Sequence, residues 1–310
     1  MSTARTSIAS RPLSPAPTLR RLADGVWAYI QPHGGWMVNN MGVIETPIGN
    51  ISIDTTSTER RMHAYLRSMR EATGRDLRYI VYTHSHPDHS NGASMVPDAD
   101  VIAHREAAAE LQRPQPVPPH VFERFVRGDI QPRPPTVVFD DSLTLHAGDH
   151  TVRIVHPGDT AHTKGDAYVW LPESRVLFAG DLIFHGGTPF LMSGSPRGWL
   201  AALDGLRALQ PEVIVPGHGD IGGPELIDEV ADYLRFVVEA AVSARARGLS
   251  PLQAARQLDL ARFAGLLDPE RIVGNLHRAY AELDGTQIDP DTIFQEMYEF
   301  NGKRPLACHA

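Results

Sequence analysis

The sequence has a single cysteine, Cys308, in 310 residues. One thiol forms no disulfide within the chain and builds no cysteinate zinc cluster, so any metal must be held by His, Asp or Glu. Cys308 reads as an incidental residue, not a nucleophile. No apolar run is long enough to span a bilayer, so a cytoplasmic protein without a membrane partner is expected. Positive charge is not in excess either: 29 basic and 37 acidic residues give a formal net charge of -8. That balance argues against a nucleic-acid or anionic-membrane surface. The first 18 residues contain no acid and are rich in Ser, Thr, Ala, Pro and Arg. Such a composition fits a transit peptide or a frayed tail, and residues 1–18 are expected to be disordered. Arg20-Arg21 is not followed by an apolar stretch, so a secretory signal is not expected.

What the chain does have is a series of short apolar runs rich in β-branched and aromatic residues. They fall at 25–30, 37–44, 50–54, 79–82, 101–104, 137–139, 143–145, 151–156, 167–171, 176–179 and 213–215. Turn residues bound most of them, so they read as strands. Residues 58–73 place Met62, Tyr65, Leu66 and Met69 on one helical face, and Trp199, Leu203, Leu206 and Leu209 do the same. Strands mixed with helices predict a layered α/β fold. After Gly223 the pattern becomes helical. Pro224, Ser250-Pro251, Asp268-Pro269 and Asp289-Pro290 open four helices, and Gly285 closes the third. The expected organisation is a catalytic domain over 19–223 and an all-helical region over 224–310. Residues 31–36 and 113–135 read as loops over a site; seven prolines in the second exclude a regular core element.

Histidine is plentiful, with 15 in the chain, and four candidate ligands fall within six residues. The strand at 79–82 runs into Thr83-His84-Ser85-His86-Pro87-Asp88-His89-Ser90-Asn91-Gly92. His84 and His86 alternate, so extended backbone sends both to one side. Pro87 breaks that run and allows a turn that brings Asp88 and His89 round beside them. Imidazole and carboxylate suit zinc, iron or manganese. Three more candidates follow probable strands and neighbour glycine or lie in Gly-rich turns: His162, Asp181 after Gly180, and His218 in Pro216-Gly217-His218-Gly219. Loops at strand ends are where a layered fold exposes reactive groups.

This ordered set, His-x-His-x-Asp-His, a lone His, Gly-Asp and Pro-Gly-His-Gly, resembles the signature of the metallo-β-lactamase superfamily over about residues 22–222. The resemblance implies an αββα sandwich with metals at one edge between the sheets, followed here by the helical appendage. It implies one metal held by His84, His86 and His162, a second held by Asp88, His89 and His218, and Asp181 bridging both. Two zinc ions per chain are expected, with iron or manganese as other occupants. Asp88 and Asp181 are the expected catalytic carboxylates. Asp54 resembles the aspartate that this superfamily keeps near its metals, while Thr83, Ser85, Asn91 and Asp159 are candidates to orient the ligand imidazoles. Tyr168 and His185 are candidate oxyanion donors.

The pattern is closer to the glyoxalase II and lactonase branch than to true β-lactamases, because Asp181 is a bridging carboxylate that the latter generally lack. A water shared by two cations loses its proton near neutral pH. The expected reaction is therefore hydrolysis of a thioester, lactone or ester in a small-molecule substrate. A β-lactam hydrolase, a mononuclear iron sulfur dioxygenase, a nuclease and a non-catalytic binding protein are the competing readings. Trp36, Phe184, Phe190, Leu191 and Met192 are expected near the mouth of the site, suiting an apolar, acyl-like substrate. The helical region could complete the pocket or form a homo-oligomer interface.

Overall fold

The computed structural model describes residues 16–32, 34–113 and 117–310. Most of the expected tail over 1–18, and Pro114 and Pro116 of the proline-rich loop, lie outside the described residues. Two sheets form the centre. The first has seven strands in chain order: β1 (Thr18–Ala23), β2 (Val26–Ile30), β3 (Met41–Ile44), β4 (Asn50–Ile53), β5 (Leu77–Val81), β6 (Asp100–His104) and β7 (Val137–Phe139). Pairing is antiparallel from β1 to β4 and parallel from β4 to β7. The second sheet runs β12-β11-β10-β9-β8. Its strands are β8 (Ser142–Ala147), β9 (His150–Val155), β10 (Tyr168–Leu171), β11 (Val176–Phe184) and β12 (Val213–His218).

Alternation puts Val26, Ala28, Ile30, Ile51 and Ile53 of the first sheet against Val152, Ile154, Val169, Phe178 and Val215 of the second. Each fully buried side chain of this size contributes about 1.5–3 kcal/mol. The outer face of the first sheet is covered by α1 (Glu59–Thr73), through Met62, Tyr65, Leu66 and Met69. Thr58 caps its start, its side chain accepting from the Arg61 N–H, and Gly74 ends it in the left-handed conformation at φ 67°. α2 (Pro87–Ser90) and α3 (Arg105–Leu111) follow β5 and β6. The outer face of the second sheet is covered by α4 (Pro196–Ala208), whose Trp199, Leu203 and Leu206 are buried. The layers are thus helix, sheet, sheet, helix.

Beyond β12 come α5 (Glu225–Ala246), α6 (Pro251–Gln257), α7 (Arg271–Asp284) and α8 (Pro290–Phe300). Their apolar stripes do not make a separate core: Val230, Leu234, Ile272, Leu276 and Ile293 join the same buried cluster as Trp199 and Ile183. Ser250 and Gln253 form the capping box that opens α6, and Asp289 caps α8. No helix among the described residues is long and apolar enough to cross a membrane.

Four elements differ from the sequence reading. β1 was not expected, because its Leu19-Arg20-Arg21 stretch is an exposed edge strand with no apolar alternation to announce it. The run at 37–44 is strand only from Met41; Met37 takes φ 63° and the chain turns before the strand begins. α7 starts at Arg271, not at Asp268-Pro269, because Asp268 is itself left-handed at φ 55°. The run at 176–179 does not stop at Gly180: β11 continues to Phe184, with register shifts against β12 around Gly180, so Asp181 sits inside the strand at an irregularity.

Candidate metal centre

The centre is built where both sheets end on the same edge. β5 delivers the chain into Thr83–His89, and Pro87 starts α2 with His86 as its first flanking residue. His89 N–H donates to the His86 carbonyl at 3.0 Å, which folds Asp88 and His89 back beside the two histidines. The second sheet supplies His162, Asp181 and His218 from the β9–β10 connection, β11 and the end of β12. The seven expected residues gather into two adjoining groups. One is His84, His86, His162 and Asp181; the other is Asp88, His89 and His218.

Asp181 joins them. Its Oδ2 lies 3.3 Å from His162 Nε2 and 3.7 Å from His84 Nε2. Its Oδ1 lies 3.1 Å from His89 Nε2 and 3.4 Å from His218 Nε2. Asp88 Oδ2 completes the second group, 3.3 Å from His218 Nε2. Glycine is required next to this carboxylate: a Cβ on Gly217 would fall 2.0 Å from Asp181 Oδ1.

Polar contacts behind the ring fix the imidazoles. His162 Nδ1–H donates to the Phe190 carbonyl at 2.8 Å, which leaves the Nε2 lone pair facing the cluster, 3.0 Å from His86 Nδ1. His89 Nδ1–H donates to Asp54 at 2.8 Å. Asp54 also accepts from the Thr83 N–H and hydroxyl at 2.7 and 2.8 Å, and that hydroxyl lies 3.0 Å from His84 Nδ1. Asn40, which the sequence reading missed, fixes the last ligand loop. Its side chain donates to the Pro216 and Gly219 carbonyls at 2.9 and 2.7 Å, so a residue on the first sheet staples the loop carrying His218 on the second. The signal available was Asn39-Asn40 inside an otherwise apolar stretch, since buried amides need partners.

Burial pushes the pKa of His162 down to about 3, and lowers those of His84 and His86. These three are neutral imidazoles, the form that ligates metal. Burial also opposes charge on His89 and His218, but Asp181 and its neighbouring carboxylates outweigh it, lifting His89 well up and His218 to about 9. Three buried carboxylates, Asp54, Asp88 and Asp181, thus draw positive charge into this end of the cluster. His84 Nε2, His89 Nε2 and Asp181 Oδ1 are buried without a hydrogen-bond partner. Neutral imidazoles, excess negative charge and orphaned lone pairs facing one small space fit divalent cations.

Several secondary candidates take other roles. Ser85 donates to Glu110 at 2.6 Å. Asp159 holds its neighbour's N–H, Thr160, in an exposed turn. His185 Nδ1 pairs with the Asp220 carbonyl, and Tyr168 packs against the core. Trp36, Phe184, Phe190, Leu191 and Met192 all belong to the buried core, and of the five only Phe184 lines a hollow among the described residues, one formed with α5 and away from His86. Trp36 donates to Glu270 at 2.7 Å and lies under the Arg271 guanidinium at 4.0 Å, so the helical region covers it. The open groove beside His86 is lined instead by Arg113, by residues between Val117 and Arg127, and by Pro87, Ser90 and Asn91.

Known proteins share this architecture. A family model described as the Metallo-beta-lactamase superfamily matches residues 34–218. A linear primary-alkylsulfatase of Pseudomonas sp. (strain ATCC 19151) is 26% identical over 67% of this chain, which spans 48% of that protein, about half its length. A hydroxyacylglutathione hydrolase of Shewanella sp. (strain ANA-3) is 29% identical over 69% of this chain and 78% of its own length. The solved structure of a metallo-beta-lactamase from Pontibacter korlensis superimposes with a TM-score of 0.58 at 20% identity, covering 71% of this chain and 99% of that one. With the family match spanning well over half of the chain and the same layered fold around a His/Asp centre, the protein belongs to the metallo-beta-lactamase superfamily.

Proposed function

We propose that this protein hydrolyses an ester-like bond, a thioester, lactone or ester, in a small-molecule substrate, using two divalent cations. Zinc is the proposed metal, with iron or manganese as substitutes. The observation that carries this reading is the division of Asp181, one oxygen toward His84 and His162 and the other toward His89 and His218. A carboxylate placed between two groups of candidate ligands suits a bridge between two cations. His84, His86 and His162 would hold one cation, Asp88, His89 and His218 the other, with Asp181 common to both. When bound, such a pair supplies a hydroxide at neutral pH and polarises the substrate carbonyl.

The chain's own groups set the rest. His89 and His218 beside Asp88 outweigh the effect of burial and hold its carboxylate well below the usual range, so it stands ionised, the form that ligates a cation. It would take the proton released during attack and return it to the leaving group. A thiolate or alkoxide needs less of that help than an amine, which favours esters and thioesters over β-lactams. Asp54 and Thr83 keep His89 and His84 in register. The hydroxyacylglutathione hydrolase relative supports a thioester; the alkylsulfatase relative supports a second reading, a sulfate ester.

The test is a panel of acyl thioesters, lactones, alkyl sulfates and β-lactams, run on metal-replete protein alongside elemental analysis. Two metal ions per chain are expected, with turnover of an ester-like substrate well above that of any β-lactam. One iron per chain with a requirement for oxygen, or a cephalosporin turned over fastest, overturns the reading.

A further inference from the structure

Beside His86 opens a hollow of about 450 Å³. Arg113 and Arg127, from the two ends of the loop that follows α3, both line it. Both are exposed, and neither guanidinium has an ion-pair or hydrogen-bond partner among the described residues. Arg105, Arg207 and Arg70, by contrast, are paired with Asp140, Asp228 and Asp76. The acid in the hollow, Glu110, is held by the Ser85 hydroxyl. A second hollow of about 480 Å³ shares Pro87, Asn91, Val117 and Arg127 with the first, so the two form one groove. Its distinctive walls are apolar: Met37, Pro118, Phe122 and Phe125, with Glu123 and Arg124 also on its lining.

Two guanidinium groups that open on the same hollow as His86 repel one another and any cation held there, more so at low salt. An anion between them reverses that sign. The guanidinium fork donates to carboxylate or sulfate oxygens in pairs. Pro118 and Pro119 fix two φ angles in the stretch that carries the apolar wall.

We propose that Arg113 and Arg127 form an anion subsite, and that the substrate carries an oxyanionic group there and an apolar body along Met37, Phe122 and Phe125. This rests on the hydrolase reading and names the class of its substrate. Occupancy places the anion beside His86, and the bond to be cleaved next to the metal centre. An anion held by both arginines is bound about ten- to a hundredfold more tightly than its neutral counterpart, the range for charge-assisted contacts of this kind.

The test measures binding by calorimetry on the full metal-loaded chain, with decanoate, decyl sulfonate and neutral decanol as probes. Wild-type protein is expected to bind at least one anion tenfold or more above decanol, with an affinity that falls as salt rises. The double variant Arg113→Gln/Arg127→Gln is expected to lose that preference, while Arg235→Gln on α5 keeps it. The ranking of the two anions tells whether the subsite takes a planar or a tetrahedral group. Equal binding of decanol, or an anion preference that survives in the double variant, overturns the proposal; the latter places the anion on the metals. Because binding is read without turnover, a panel without ester hydrolysis would sink the hydrolase reading and leave this result standing.

Discussion

Replacing Asp54 by Asn tests how the centre is held, because the change removes a charge and one acceptor while keeping the shape. Asp54 is 2% exposed and serves three donors: the Thr83 N–H at 2.7 Å, the Thr83 hydroxyl at 2.8 Å and His89 Nδ1 at 2.8 Å. Asparagine offers one oxygen and one NH₂. If the oxygen stays on the Thr83 N–H, the NH₂ faces His89 Nδ1. The imidazole must then move its proton to Nε2, the atom that looks at Asp181 Oδ1 from 3.1 Å, and its ligating lone pair is gone. If the oxygen turns to His89, a buried N–H is orphaned at a cost of about 1–3 kcal/mol. Loss of a ligand's hydrogen-bond partner typically lowers metal affinity about 10–100-fold, or about 1.4–2.7 kcal/mol. Competition with a chromophoric zinc chelator should therefore show the site of Asp88, His89 and His218 weakened by this factor, and that of His84, His86 and His162 weakened less, since it feels the change only through the Thr83 hydroxyl. Circular dichroism of the metal-free variant checks that the fold is intact. Two sites of wild-type affinity in Asp54→Asn would refute the reasoning.

Other outcomes follow from the packing. His104 stacks on His156 at 3.9 Å, and its Nδ1 accepts the Glu106 N–H that starts α3. Burial and His156 lower its pKa, while Asp140 and Glu106 oppose the shift. The unfolded chain therefore takes up the proton first, so the stabilisation is complete above the ordinary histidine value of 6.5 and is lost as pH falls through the folded value. Thermal melts between pH 7 and 5 should drop more steeply for the wild type than for His104→Asn, and parallel curves would sink that account. Leu306 is fully buried and pairs with the Val121 and Glu123 backbone in the groove-lining loop. Leu306→Ala should cost about 2–5 kcal/mol in denaturant melts and raise KM more than it lowers kcat; an unaltered melt argues against a role for Leu306 in holding the loop. A chain cut after residue 223 should be insoluble on expression, because Trp199, Leu206 and Ile183 share their cluster with Val230, Leu234 and Ile272; a soluble, active fragment would show that the helical region is dispensable.

Most of the fold was legible because the strands are short, apolar and punctuated. α1 announced itself by the spacing of Met62, Tyr65, Leu66 and Met69, and α6 and α8 by their caps. The illegible parts have physical causes. β1 carries its stability in backbone pairing with β2, not in an apolar face. The continuation of β11 through Gly180 depends on a left-handed glycine at φ 52° whose meaning is visible only with Thr83 packed against it. At the site, the candidate ligands could be found from local spacing, since four of them lie within six residues. Asn40 could not, because its partners are about 180 residues away. The aromatic residues placed at the mouth failed for a related reason: a Trp or Phe in a loop reads alike whether it faces solvent or, as Trp36 does, a helix from the far end of the chain.

The origin of the two ligand groups carries a mechanical consequence. His84, His86, Asp88 and His89 hang from the first sheet, whereas His162, Asp181 and His218 hang from the second. A cation in either group would be a rivet through the seam of the sandwich. Sliding of one sheet over the other would stretch both bonds at once, and Asn40 already clips the same seam nearby. Metal would then act on the whole molecule: its binding energy adds to the work of unfolding by mass action, rising with the logarithm of free metal. A chelator should lower the melting temperature of the entire chain, with the helices of the far layer released in the same transition as the strands that carry the histidines.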